Sequence, residues 1–356
     1  MTVTDSRPPI PLKIVHGFSP GTQTSPPTNE EVYDPKWQRD QVQHFVRAAV
    51  EAEELGYDGI SLTEHHSPSM ISASPHLLLA AAAIETTRVT LHSAVTALPL
   101  YNPVRVAEEA GLLDQLSNGR FHLGVGRGTH EVQVASGNAI GIEEHNERYV
   151  EGLILLEMAL NETDFKFDGK QFRVPDPITI SSKPVQENFP VWIGSGSLSS
   201  VEQAASRGWG VMRNLGSIES HKQAFAHLVQ VGARHGHVLR GDKMWIERFI
   251  AIGSTPDEAT ANMMSAGAKL ARFLSIFTAA GRFEIDTEVI PDMEHAVDAT
   301  TRPVLASLGT PEMLVEELTD LLETTGARYL QILTFSDEEM RQFAREVAPT
   351  LRKTFS

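Results

Sequence analysis

The chain has 356 residues, of which 41% are hydrophobic and 21% charged, and its formal net charge is −16. Binding to nucleic acid or to an anionic membrane surface needs a basic face, and no cluster of lysine and arginine occurs here, so both partners are disfavoured. The absence of cysteine excludes disulfides, thiolate zinc sites and cysteine nucleophiles. We expect no secretory leader, and no apolar run approaches the length of about 20 residues that spans a bilayer. We therefore expect a cytoplasmic globular enzyme without a bound metal.

Strand-like and helix-like segments alternate along the chain. Eight short apolar segments are predicted strands: residues 12–15, 60–62, 89–94, 121–125, 191–193, 210–212, 245–252 and 329–334. A predicted helix follows each of them: 37–55, 75–85, 103–116, 143–160, 199–206, 221–235, one starting at 256, and 337–351. Strands that are apolar on both faces are typical of a sheet covered by helices. Eight such units predict one α/β domain over residues 1–356, a (β/α)8 TIM-type barrel with its site on the loops after the strands. A doubly wound sheet is the competing architecture.

Two stretches interrupt this alternation. Residues 163–190 are predicted to form a hairpin followed by extended chain. Residues 254–307 are longer and contain a helical run followed by a polar piece rich in helix breakers. We expect this second insertion to cover the barrel mouth as a mobile lid. A fixed subunit contact in a homo-oligomer is the alternative.

The first candidate site residue is Arg127, which stands between Gly126 and Gly128 directly after a predicted strand. A fixed cation beside exposed backbone N–H groups is what a phosphate ester requires of a loop. The motif alone is weak, since such an arginine can also cap a helix or pair with a carboxylate. We interpret it as an anion site.

A second anion site is predicted where a strand leads into a helix through a turn rich in glycine and serine. Such a turn presents N–H groups, hydroxyls and the positive end of the helix dipole. Helix capping explains one of its serines but not the whole composition. The candidate residues are Gly194, Ser195, Gly196, Ser197 and Ser200.

Polar residues also follow the second predicted strand, as Glu64-His65-His66. Adjacent residues in extended chain point in opposite directions, so at most one of the histidines faces a given site. Packing within the core is an equally good explanation for an isolated pair of histidines. Glu64 is expected to orient the loop.

These segments, with Ala94-Val95-Thr96 after the third strand and Asn102-Pro103-Val104-Arg105 at the start of a helix, resemble the flavin-dependent luciferase-like monooxygenases. The resemblance runs from about residue 56 to 128, resumes at 191–208 and 308–334, and does not cover 254–307. It implies that His65 is catalytic near the flavin ring. It also implies that Ala94, Val95 and Thr96 lie against that ring, with a non-prolyl cis peptide at Ala94–Val95.

The resemblance further implies that Arg127 and the serine-rich turn hold the flavin phosphate from opposite sides. Ser195 stands where luciferase has an acidic residue, and Gly126 where it has a reactive cysteine, which argues against light emission. The function implied is oxygenation of a small organic substrate by O2 through a C4a-peroxide of reduced FMN, which a separate flavin reductase delivers. An F420-dependent hydride-transfer enzyme and a non-enzymatic flavin-binding relative are the alternatives.

Overall fold

The structure is a computed structural model, and it describes residues 8–19, 33–67, 70–128, 142–214, 216–266 and 306–356. The strands in these residues are β1 (Lys13–Phe18), β2 (Gly59–Leu62), β3 (His65–Ser67), β4 (Met70–Ser72), β5 (Thr90–Ser93), β6 (Thr96–Ala97), β7 (Phe121–Gly126), β8 (Phe165–Asp168), β9 (Arg173–Ile178), β10 (Val191–Gly194), β11 (Gly210–Arg213), β12 (Met244–Ile252), β13 (Ala306–Gly309) and β14 (Tyr329–Leu333). The helices are α1 (Pro35–Glu54), α2 (Pro75–Glu85), α3 (Pro103–Leu116), α4 (Ile142–Asn161), α5 (Leu198–Ala205), α6 (Ile218–Arg234), α7 (Pro256–Ser265), α8 (Pro311–Thr325), α9 (Asp337–Gln342) and α10 (Ala348–Thr354).

Within this part of the chain, eight parallel strands close into a barrel in the order β1, β2, β5, β7, β10, β11, β12, β14. Pairing of β14 with β1, with Tyr329 opposite Lys13, joins the two ends of the chain. Pairing of β10 with β7, with Val191 opposite Leu123, completes the ring. These are the eight strands predicted from the sequence, so the TIM-type barrel is confirmed.

Local signals explain where several helices begin. Asp34, Asn102 and Thr310 stand at N-caps, and in each case the side chain accepts a hydrogen bond from a backbone N–H of the first turn. A proline follows each cap, where its fixed φ and missing N–H cost nothing. The helices pack around the barrel and bury a continuous apolar layer against the outer faces of the strands.

The first predicted insertion contains the expected hairpin, since β8 and β9 pair antiparallel with Asp168 opposite Arg173. Residues 254–266 of the second carry α7, which begins at Pro256 as predicted. Ala306 and Ser307, expected inside this insertion, instead belong to β13, which pairs with the second half of β12. Residues 267–305 lie outside the described residues, so both the lid and the subunit contact stay predictions.

Two short elements at the barrel mouth were not predicted. The antiparallel pair of β3 and β4 follows β2, and β6 pairs with the end of β7. In the described residues, no helix is both long enough and apolar enough to span a membrane.

Candidate active site

Arg127 lies at the barrel mouth because it directly follows β7, a buried barrel strand, and the parallel strands all end on that side. Its Nη1 donates a hydrogen bond to Asn146 Oδ1 at 3.0 Å, and its carbonyl oxygen accepts one from His145 Nε2 at 2.7 Å. Gly128 has a φ of 77°, a backbone conformation that favours glycine. Among the described residues, no carboxylate neutralises the Arg127 guanidinium, so a ligand anion can take that place.

The serine-rich turn between β10 and α5 is organised by its own hydroxyls. Ser197 caps α5, with its Oγ accepting from the N–H of Ser200, and this Oγ also lies 2.9 Å from that of Ser199. Ser195 Oγ donates to the carbonyl of Ser197 at 3.0 Å. As expected, capping accounts for one serine, and all four residues Ser195, Gly196, Ser197 and Ser200 line the cavity.

Arg213 is a second cation at this end of the cavity, and the sequence reasoning missed it. It ends β11 and is only 4% exposed. Its guanidinium donates to Ser220 Oγ at 2.9 Å, to His221 Nδ1 at 3.2 Å and to the Ser195 carbonyl at 3.3 Å. Burial lowers the pKa of this arginine, although arginine remains charged in proteins.

All of these described partners of Arg213 are neutral, which leaves a buried positive charge beside the serine-rich turn. One signal in the sequence could have pointed to Arg213, namely a second serine cap shortly after the strand that it ends. Ser217 caps α6 by accepting from the N–H of Ser220, the same pattern by which Ser197 caps α5. Two helix N-termini therefore open onto the same cavity, and both favour an anion there.

The peptide bond between Ala94 and Val95 is cis, as the family resemblance implied. Val95 packs against the buried interior cluster of Trp192, Met212 and Trp245. A Cβ on Gly194 would lie 3.1 Å from Val95 Cγ1, and one on Gly126 would come closer still. A side chain at position 126 would therefore collide with Val95, and one at position 194 would be tightly packed against it.

Thr96 is the one predicted site residue that the structure does not place on the cavity wall. It is 1% exposed, and its Oγ1 lies 3.0 Å from Nε2 of His76 on α2. The neighbouring residues Ala94, Val95 and Ala97 do line the cavity. Thr96 is thus positioned to hold the loop rather than to touch a ligand with its side chain.

Of the two adjacent histidines only His65 lines the cavity, as expected for neighbouring residues of a strand. His65 is 4% exposed and lines the cavity. His66 Nε2 lies 3.0 Å from Glu64 Oε1. Glu64 also accepts hydrogen bonds from the Ala97 N–H at 2.8 Å and the Tyr101 hydroxyl at 3.0 Å, so it ties the two loops together as predicted.

These residues meet in one cavity of about 570 Å³ at the carboxyl ends of the strands. Apart from Thr96, all the predicted site residues line it: His65, Ala94, Val95, Arg127, Gly194, Ser195, Gly196, Ser197 and Ser200. The sequence reasoning did not propose several other lining residues, among them Met212, Arg213, Asn214, Ser217, Ser220, Trp245, Glu247 and Gln331. One end of this cavity is cationic and rich in hydroxyls, and Val95, Met212 and Trp245 form an apolar wall.

Comparison with known proteins agrees with this geometry. The sequence matches the family model of the luciferase-like monooxygenases over residues 14–329. It is 27% identical over 289 residues to limonene 1,2-monooxygenase of Rhodococcus erythropolis, which covers 76% of this chain and 70% of that protein. It is 28% identical over 333 residues to the F420-dependent glucose-6-phosphate dehydrogenase of Intrasporangium calvum, which covers 88% of this chain and 95% of that protein.

A solved structure shows the same fold. The oxygenating constituent of 3,6-diketocamphane monooxygenase from Pseudomonas putida, in complex with FMN, superposes with a TM-score of 0.75 at 19% identity. The superposition covers 96% of this chain and 98% of that one. The barrel, the cavity at its mouth and a family match over most of the chain lead to one conclusion: this protein belongs to the luciferase-like monooxygenase family.

Proposed function

We propose that this protein is a monooxygenase that binds reduced FMN, delivered by a separate flavin reductase, and uses O2 to oxygenate a small organic substrate. The observation that carries the proposal is the single cavity that joins an anion-binding end to an apolar wall and His65. Its volume of about 570 Å³ falls in the range typical of sites for small molecules and cofactors.

The cationic end of the cavity suits the phosphate of FMN. A phosphate monoester carries close to two negative charges and three strong acceptor oxygens. Arg127 and Arg213 would supply the two positive charges, with Ser200 and the N-termini of α5 and α6 as further donors. The fit rests on Arg213, a buried guanidinium whose described partners are all neutral.

The apolar part of the cavity suits the flavin ring. Val95, Met212 and Trp245 would pack on the ring and exclude water from it. The reduced flavin, when bound, supplies the electrons that activate O2. The protein's part is to hold the ring, keep water away and leave room for a substrate.

We propose that the His65 imidazole moves a proton during the reaction. Its side chain is buried at the cavity wall, and the loop that carries it is fixed by the hydrogen bonds of Glu64. An imidazole on this wall can accept a proton at one ring nitrogen and donate one from the other, which suits general acid–base catalysis.

Hydride transfer with F420 is the second candidate function. It is favoured by the similarity to an F420-dependent dehydrogenase over 333 residues. A non-enzymatic flavin-binding relative is the third candidate, and it would bind the flavin without forming a product.

The test is to purify the protein without added cofactor and identify what copurifies by mass spectrometry, then to measure anaerobic binding of reduced FMN and reduced F420. With FMN, a flavin reductase, its reduced nicotinamide as electron donor and 18O2, a panel of cyclic ketones and terpenes should yield a product that contains 18O. An F420 cofactor with oxidation of an alcohol in the absence of O2 would replace this function by the second candidate.

A further inference from the structure

The floor of the cavity is an aromatic layer inside the barrel. Trp245 and Tyr329 are paired in register on β12 and β14, and their rings stack at 5.6 Å with an interplanar angle of 8°. Trp192 meets both rings edge-on, with centroids 5.9 Å and 5.0 Å away. This layer closes the barrel below the cavity.

Two polar side chains lie directly above this floor. Glu247 and Gln331 follow Trp245 and Tyr329 by two residues on the same strands, so they face the same interior side. They are opposite each other in the β12–β14 register. Both line the cavity, and they are only 7% and 1% exposed.

The orientation of the Gln331 amide is fixed by Trp245. The indole Nε1 donates to Gln331 Oε1 at 2.8 Å, and because an indole N–H can only donate, the oxygen must be on that side. Nε2 then lies over Gly17, where a Cβ would collide with it. Among the described residues, this buried Nε2 has no hydrogen-bond partner, although it is a strong donor.

The side chain opposite Gln331 is Glu247, whose carboxyl can donate a hydrogen bond when it is protonated. No hydrogen bond or ion pair to its carboxyl is formed by the described residues, and burial raises its pKa to about 7. The other charged or titratable residues on the wall of this cavity are Glu64, His65, Arg127 and Arg213. At and below neutral pH a large part of the Glu247 side chain is therefore the neutral acid, which donates its proton in a hydrogen bond.

We propose that Glu247 and Gln331 form a binding site for a carbonyl oxygen at the floor of the cavity. Two donors at opposite positions above an aromatic layer suit an acceptor on a flat, uncharged ring. Two sources carry such a group: the pyrimidine ring of the flavin, and a ketone substrate. The inference rests on the proposed function, because both sources enter the cavity only if it is a flavin site.

The experiment is a titration of the full-length protein with oxidised FMN between pH 5.5 and 8.5, followed by flavin fluorescence. The matched variant is Glu247→Gln, which keeps the size and a donor but does not titrate. If the flavin is the source, the affinity of the wild-type protein should fall about tenfold as Glu247 loses its proton above pH 7, relative to Glu247→Gln. The FMN phosphate, whose second pKa is about 6, titrates equally in both proteins and cancels in the comparison.

Gln331→Met tests the second donor. If the flavin is the source, this variant should bind FMN about tenfold more weakly at all pH values. The carbonyl stretch of bound FMN should also shift to higher frequency in infrared spectra. Cyclohexanone, added to the FMN-loaded protein, distinguishes the two sources. If only its affinity shows the dependence on pH and on Gln331, the carbonyl belongs to the substrate, and the site is supported.

If neither FMN nor cyclohexanone binding differs between the wild type and the variants, the site is refuted while the proposed function stands. A wild-type protein that binds neither oxidised nor reduced FMN at any pH would refute the proposed function and this inference with it. Glu247→Gln is isosteric, so the pH comparison remains valid even if Gln331→Met fails to fold.

Discussion

Replacing Arg127 by alanine should weaken FMN binding by about tenfold to a hundredfold and leave riboflavin binding unchanged. The guanidinium lies on the cavity wall, and its described hydrogen bond goes to the neutral amide of Asn146 at 3.0 Å. A charge-assisted hydrogen bond to phosphate contributes about 1.5–3 kcal/mol, and each 1.4 kcal/mol is about a factor of ten in affinity. Arg213 would remain in the variant to hold the phosphate, so we expect one to two decades rather than loss of binding.

The assay is an anaerobic fluorescence titration of the wild type and the variant with FMN and, separately, with riboflavin, which lacks the phosphate. Arg39→Ala is the matched control, because Arg39 is an exposed arginine that is paired with Asp40 and does not line the cavity. The control should bind FMN as the wild type does. An unchanged affinity of Arg127→Ala for FMN, or an equal loss for FMN and riboflavin, would show that Arg127 does not bind the phosphate.

Three further predictions concern other parts of the molecule. His65→Ala should retain FMN affinity and lose about 10²-fold or more in turnover, measured as product formation, since a positioned acid or base has this scale of effect; normal turnover would return His65 to a structural role. Gly124→Ala should destabilise the fold by about 1–3 kcal/mol in denaturant unfolding, because its Cβ would collide with a backbone carbonyl of β5, whereas Gly196→Ala, with no atom within 4 Å of its Cβ, should leave stability unchanged. Burial lowers the pKa of His16 and of His122 from the ordinary value of 6.5 to about 3, so the unfolded chain binds more protons. The stability should therefore fall as the pH drops below about 6.5, by up to about 1.4 kcal/mol per pH unit for each histidine. Unfolding curves from pH 7.5 to 5 test this, and a His16→Gln variant with an unchanged slope would contradict it.

The positions of the barrel elements could be predicted from the sequence because their signals are local. Each barrel strand is a short apolar run, and several helices begin at a capping residue followed by proline, as Asn102 and Pro103 show for α3. Chemistry-bearing residues that directly follow a strand, such as Arg127, necessarily reach the barrel mouth, since parallel strands end on the same side. For this reason most of the predicted site residues lie in one cavity.

The remainder depends on contacts between segments far apart in the sequence, which no local pattern records. Thr96 follows a strand but turns to His76 on α2. Arg213 lies beside the serine-rich turn because β10 and β11 pair, which brings its guanidinium to the Ser195 carbonyl.

Glu247 and Gln331 are separated by 84 positions, and each resembles an ordinary polar residue within a strand. Their positions opposite each other above the floor of the cavity are set by the register of β12 against β14 and by closure of the barrel. A shift of one residue in either strand would turn that side chain to the outer face. The sequence by itself therefore determined which strands end at the cavity, and the tertiary structure decided which side chains face it.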